Sequence, residues 1–128
     1  MAANSPRILI ADDESQLLRV LVRVLEKRGY TVVSAPDGKA AVAALRDAPD
    51  AFGAIVIDAA IGPEGAGPVL EVLAAEQPQV EVIVTSGDQL AGSLRSRLLE
   101  SNGIFLLKPF LPSALEEAVE DALVKRGA

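Results

Sequence analysis

Ile8-Leu9-Ile10-Ala11-Asp12-Asp13-Glu14 sets an almost unbroken apolar run against three successive acids. A strand covered by helices on both faces reads this way, because neither face meets water. Ile55-Val56-Ile57-Asp58 and Val82-Ile83-Val84-Thr85-Ser86-Gly87 repeat the form, and Thr31–Ser34 and Ile104–Leu107 are further β-branched or apolar runs. Between the runs lie segments with helical spacing. Leu17, Leu21 and Val24 form one stripe, widened by Leu18 and Leu25. Ala40–Leu45, Val69–Leu73, Leu90–Leu98 and Ala114–Leu123 read likewise. Strand and helix alternate five times. Such alternation requires crossover connections, hence a doubly wound α/β fold with a parallel sheet and helices on both faces.

The punctuation agrees. Gly29 follows the basic pair Lys27-Arg28, as a helix-terminating glycine does. Pro36-Asp37-Gly38 opens the second helix, Asn102-Gly103 closes the fourth, and Pro112 falls in the first turn of the fifth. No repeat or linker interrupts the pattern. A single domain over residues 1–128, with a core of about 6–126, is expected, with no second domain following.

Composition narrows the chemistry. The 128 residues include no Cys and no His, which excludes thiol catalysis, disulfides and soft-ligand metal sites. Any metal must be held by oxygen, which favours a hard ion. A formal net charge of −6 opposes non-specific nucleic-acid binding. No stretch has the length of a membrane span, and Met1–Pro6 lacks the pattern of a secretory leader, so a cytoplasmic location is expected.

In an open parallel sheet, ligands bind beyond the carboxyl ends of the strands. Asp12, Asp13 and Glu14 follow the first strand, Asp58 the third, Thr85-Ser86 the fourth and Lys108-Pro109 the fifth. Carboxylates crowded at one rim repel unless a cation lies among them. Mg²⁺ suits such a site, since it accepts carboxylate and phosphate oxygens while keeping waters. One carboxylate then becomes a nucleophile for a phosphoryl group, with lysine and hydroxyl as partners for the phosphoryl oxygens. Each piece alone has a plainer reading. The acids after the first strand suit a helix start, Asp58 a helix cap, Ser86-Gly87 a turn, Lys108 a solvated surface and Phe105 the core.

Taken together and in this order, Ile8–Glu14, Ile55–Asp58, Val82–Gly87 and Leu106-Leu107-Lys108-Pro109-Phe110 resemble the response-regulator receiver domains of two-component signalling, over nearly the whole chain. The resemblance implies a flavodoxin-like (βα)5 fold with strand order 2-1-3-4-5. It implies Asp58 as phosphoacceptor and Asp12, Asp13, Asp58 and the Ala60 backbone carbonyl as ligands of Mg²⁺, or of Mn²⁺ in its place. Ser86 and Phe105 become switch residues, Lys108 the phosphate-binding lysine and Pro109 a cis-prone proline. The implied donor is a histidine kinase or histidine phosphotransfer protein. The implied output is an altered protein-binding surface on the fourth helix, fifth strand and fifth helix, read by a downstream protein, with neither nucleic acid nor membrane as partner. The loop departs from the family pattern: Gly62 holds the usual proline position and proline follows at 63. The later Gly67-Pro68 resembles receivers of hybrid sensor kinases. Two other functions compete. One is a degenerate receiver that binds proteins without phosphorylation. The other is a Mg²⁺-dependent phosphohydrolase, which needs a second acid near the nucleophile and a substrate cap. Ala60 offers no acid two residues after Asp58, and no insertion is long enough for a cap.

Overall fold

The computed structural model describes residues 6–90 and 92–127. The expectations made for residues 1–5 and for the ends of the domain lie outside that range. Among the described residues ten elements alternate: β1 (Arg7–Ala11), α1 (Ser15–Lys27), β2 (Thr31–Ala35), α2 (Gly38–Asp47), β3 (Phe52–Asp58), α3 (Gly67–Glu76), β4 (Glu81–Ser86), α4 (Gly92–Glu100), β5 (Ile104–Leu107) and α5 (Pro112–Gly127). The strands form one parallel sheet in the order β2-β1-β3-β4-β5.

Alternation along each strand divides the core in two, because successive side chains point to opposite faces. Leu9, Ile55, Ile57, Val82 and Val84 pack with Ala41 and Leu45 of α2, Val69, Leu70 and Leu73 of α3, and Leu98 of α4. Ile8, Ile10, Ala54, Val56 and Ile83 face the other way, against Leu18, Leu21 and Leu25 of α1 and Leu115, Ala118, Val119 and Ala122 of α5. Side chains as fully enclosed as Leu25 or Ile57 each contribute about 1.5–3 kcal/mol through burial.

Local chemistry sets the element ends. Gly29 takes φ +93°; its N–H donates to the Glu26 carbonyl at 2.9 Å, and Tyr30 N–H to the Leu25 carbonyl at 3.3 Å. Asp37 caps α2, its Oδ1 accepting the Ala40 N–H at 2.7 Å. Asn102, at φ +59°, ends α4, and the Gly103 N–H returns to the Leu98 carbonyl at 2.9 Å. Gln77, buried after α3, donates from Nε2 to the Leu45 carbonyl at the end of α2, 2.7 Å away.

Two of the boundaries that differ from the sequence reading have a local cause. β3 begins at Phe52, three residues before Ile55, because Phe52 pairs with Arg7 of β1; Gly53 is the extra residue at the register shift before the Ile8–Ala54 pair, where a Cβ would lie 2.6 Å from Pro6 Cβ and 2.7 Å from Leu123 Cδ2. α4 begins at Gly92 and leaves Leu90 outside, since Gly92 takes a left-handed φ of +61°. Leu90 still packs against the core, as Leu94 and Phe105 do.

Candidate functional site

Strand register brings the polar residues to one edge. Asp58 stands opposite Thr85, and Ser86 opposite Leu107, the residue before Lys108. The loop after β1 joins them from the neighbouring strand. Asp12, Asp13 and Asp58 each place one carboxylate oxygen within 4.8 Å of the others.

Lys108 organises two of the three acids. Its Nζ lies 3.0 Å from Asp12 Oδ2 and 3.3 Å from Asp58 Oδ1. Asp12 is 2% exposed, and its other oxygen accepts the Glu14 N–H at 2.9 Å. Burial raises the Asp58 carboxyl above the usual aspartate range; the Lys108 ammonium opposes that rise, and the charges of Asp12 and Asp13 add to it. Burial would lower Lys108, yet its bonds and charge contacts with Asp12 and Asp58 prevail and hold it above the usual lysine range.

The third acid is held differently. Asp13 is exposed, and its Oδ2 accepts the backbone N–H of Gly62 at 3.0 Å. The loop carrying Gly62 is closed on itself. Ile61 is 2% exposed and donates its N–H to the Asp58 carbonyl at 3.1 Å; Ala66 N–H reaches the Ala59 carbonyl at 3.0 Å; Ala59 N–H reaches the Thr85 carbonyl at 2.8 Å. Gly62 and Gly65 take φ +60° and +71°. A proline at 62 is excluded by that φ and lacks the N–H.

Of the plainer readings of the acids, the helix start holds for Glu14, which is the N-cap residue of α1, and the helix cap fails for Asp58. α1 starts at Ser15 with no acid in its first turn, and Asp58 caps no helix, since α3 starts at Gly67. Ser86 does form a turn: its Oγ accepts the Asp88 N–H at 3.1 Å. The Lys108 N–H donates to the Ser86 carbonyl at 2.7 Å, and the Lys108–Pro109 peptide is cis. Phe105 is partly buried against the α4 side of the core. Ala60 is exposed in the turn after Asp58. Nothing in the sequence marks Gly62 as part of this rim, for 49 positions separate it from Asp13. An all-oxygen donor set of three carboxylates fits a hard divalent cation.

Comparison with known proteins gives the same picture. A family profile described as response regulator receiver domain matches residues 8–120. The transcriptional regulatory protein PrrA of Mycobacterium tuberculosis is 33% identical over 126 residues, covering 98% of this chain and 53% of PrrA. The sensor kinase CckA of Brucella abortus is 30% identical over 125 residues, covering 97% of this chain and 13% of the kinase. The chain thus spans about half the length of PrrA and a smaller part of CckA. In fold it is similar to a CheY-like response regulator receiver domain protein from Methanospirillum hungatei, with TM-score 0.83 and 24% identity over 96% of this chain and 97% of that one.

Proposed function

The chain belongs to the response regulator receiver domain family, the signalling modules of two-component systems, and on that premise we propose that Asp58 accepts a phosphoryl group from a phosphohistidine donor. One observation carries this reading: a carboxylate at a strand end, its charge disfavoured by burial, with Lys108 and two further acids around it. Receiver domains bind Mg²⁺ at such a cluster; in this chain Asp12, Asp13, Asp58 and the Ala60 carbonyl would hold it. When bound, Mg²⁺ supplies positive charge that offsets repulsion between the nucleophile and the phosphoryl oxygens.

The chain's own residues do the rest. An Asp58 oxygen attacks phosphorus, a new O–P bond forms, and the P–N bond to the donor imidazole breaks with its electron pair returning to nitrogen. Lys108, already 3.3 Å from Asp58, turns its ammonium to a phosphoryl oxygen. The Ser86 hydroxyl, an acceptor from Asp88 in this state, donates its proton to another. Movement of Ser86 opens space beside Phe105 and changes the face of α4, β5 and α5 that a downstream protein reads.

A groove of about 410 Å³ beside the rim, between α1 (Leu17, Val20, Leu21, Val24) and Pro109-Phe110, supports docking of a kinase or phosphotransfer helix next to Asp58. Among the described residues no helix is long and apolar enough to cross a membrane. The same reading has the chain act as one receiver domain in the cytoplasm, catalysing only its own phosphotransfer and dephosphorylation.

The test is uptake of phosphoryl from acetyl phosphate with Mg²⁺, followed by mass spectrometry. The parent gains one phosphoryl group, or forms a beryllofluoride adduct standing in for it, and Asp58→Asn does neither. Uptake that persists in Asp58→Asn assigns another acceptor; no uptake in the parent favours a degenerate receiver.

A further inference from the structure

We propose that the backbone N–H of Gly62 is a positioning group for Asp13, latching the β3–α3 loop to the metal rim so that loop and ion site order together. The inference rests on the reading of Asp13 as a metal ligand. Asp13 lies on the short segment between β1 and α1 and is exposed, so its side chain has rotamer freedom to lose. Gly62 offsets that freedom: its N–H reaches Asp13 Oδ2 at 3.0 Å.

The donor itself is fixed from both sides. Ile61, one residue before, is anchored in the core and bonded to the Asp58 carbonyl. After Gly62 the loop closes through Ala66 and Ala59. The left-handed φ of +60° at Gly62 completes the turn. A Cβ at 62 would meet nothing within 4 Å, so contact at that atom does not require glycine here; the backbone conformation favours it.

The latch is compatible with ion binding. A carboxylate offers about four lone-pair sites, and one backbone donor occupies a single one. With Gly62 bonded, the Asp13 ligand atom already stands within 4.8 Å of those of Asp12 and Asp58. The contact therefore pre-arranges a ligand and does not compete with the ion. The loop in turn senses occupancy, because an ion that immobilises Asp13 also immobilises its donor.

Two variants bracket the N–H together with the left-handed turn that presents it, and a hydrogen-exchange comparison isolates the N–H contact itself. Gly62→Asn keeps the N–H in a residue that tolerates left-handed φ; Gly62→Pro removes the N–H and the φ together. Calorimetric Mg²⁺ titration should show binding about three- to tenfold weaker in Gly62→Pro and near the parent in Gly62→Asn. Hydrogen exchange gives a readout without the ion: the Gly62 amide should exchange about tenfold faster in Asp13→Ala than in the parent, and added Mg²⁺ should slow residues 59–66 in the parent. That exchange comparison decides the matter if Gly62→Pro does not fold. An unchanged Gly62 exchange rate in Asp13→Ala, or equal Mg²⁺ affinity in Gly62→Pro and Gly62→Asn, overturns the latch while leaving the receiver reading intact. A parent chain whose Asp12, Asp13 and Asp58 region ignores Mg²⁺ overturns the metal-ligand reading and the latch with it.

Discussion

Replacing Asp58 with Asn should stabilise the ion-free protein at neutral pH. The charges around Asp58 nearly cancel. Lys108 at 3.3 Å attracts it by about 5 kcal/mol at an effective dielectric constant of ~20. Each neighbouring acid, taken at the 4.8 Å limit, repels it by about 3.5 kcal/mol on the same scale, and solvent around exposed Asp13 roughly halves that acid's share. Attraction and repulsion then balance to within about 1 kcal/mol, and the burial penalty decides the sign. Asn removes that penalty while keeping an oxygen for Lys108. The expected gain is about 1–2 kcal/mol, or a rise of about 3–8 °C in the thermal midpoint. The pH dependence follows from the direction of the shift. Because the folded carboxyl holds its proton more tightly than the unfolded one, the parent loses stability as pH rises from the ordinary aspartate value of 3.8 through the raised folded value. The advantage of Asp58→Asn should therefore be full above that window and vanish below it. Thermal melts across pH, with and without Mg²⁺, measure this, and Mg²⁺ should lift the parent more than the variant. An Asp58→Asn midpoint below the parent's at neutral pH without Mg²⁺ would mean that the Lys108 attraction outweighs burial, contrary to the reasoning.

Gly53→Ala should cost about 1–3 kcal/mol, because its Cβ meets Pro6 and Leu123 at 2.6 and 2.7 Å; a neutral result in urea melts would show that the α5 end yields. Gln77→Ala should cost about 1–3 kcal/mol by stranding the Leu45 carbonyl, measured the same way. Arg46→Ala should change stability by less than about 1 kcal/mol despite its 2.7 Å bond to Glu76, since both side chains are exposed. Ser86→Ala should still phosphorylate at Asp58, while losing the hydrogen-exchange response of residues 88–102 to beryllofluoride; an intact response would place the switch elsewhere.

The alternation of elements was legible because a parallel sheet covered on both faces leaves Ile8–Ala11, Ile55–Ile57 and Val82–Val84 no reason to carry polar residues. Caps were legible where one residue does one local job, as at Gly29, Asp37 and Asn102. The start of β3 was not, because Gly53 reads as a strand breaker and the run before Ile55 pairs with β1 only across a register shift at that glycine. At the rim, strand-end logic named Asp12, Asp13, Asp58 and Lys108. It did not show that Lys108 bridges Asp12 as well as Asp58, or that a backbone group holds Asp13. Those contacts depend on loop path, which residue type alone does not encode. The Gln77 bond across to Leu45 is hidden for the same reason.

The strand order carries a consequence for how the chain is assembled. β2, β1 and β3 are neighbours and all precede residue 59, so the strands that position Asp12, Asp13 and Asp58 all lie in the first half of the chain, ahead of β4 and β5. The lysine that pairs with two of these acids is fifty residues further on, counting from Asp58 to Lys108. The ammonium arrives with the last strand. Because a domain folds as a unit, completion of the sheet and the pairing of Lys108 with Asp12 and Asp58 belong to the same step, and the partial charge compensation at the rim depends on contacts between the two ends of the chain.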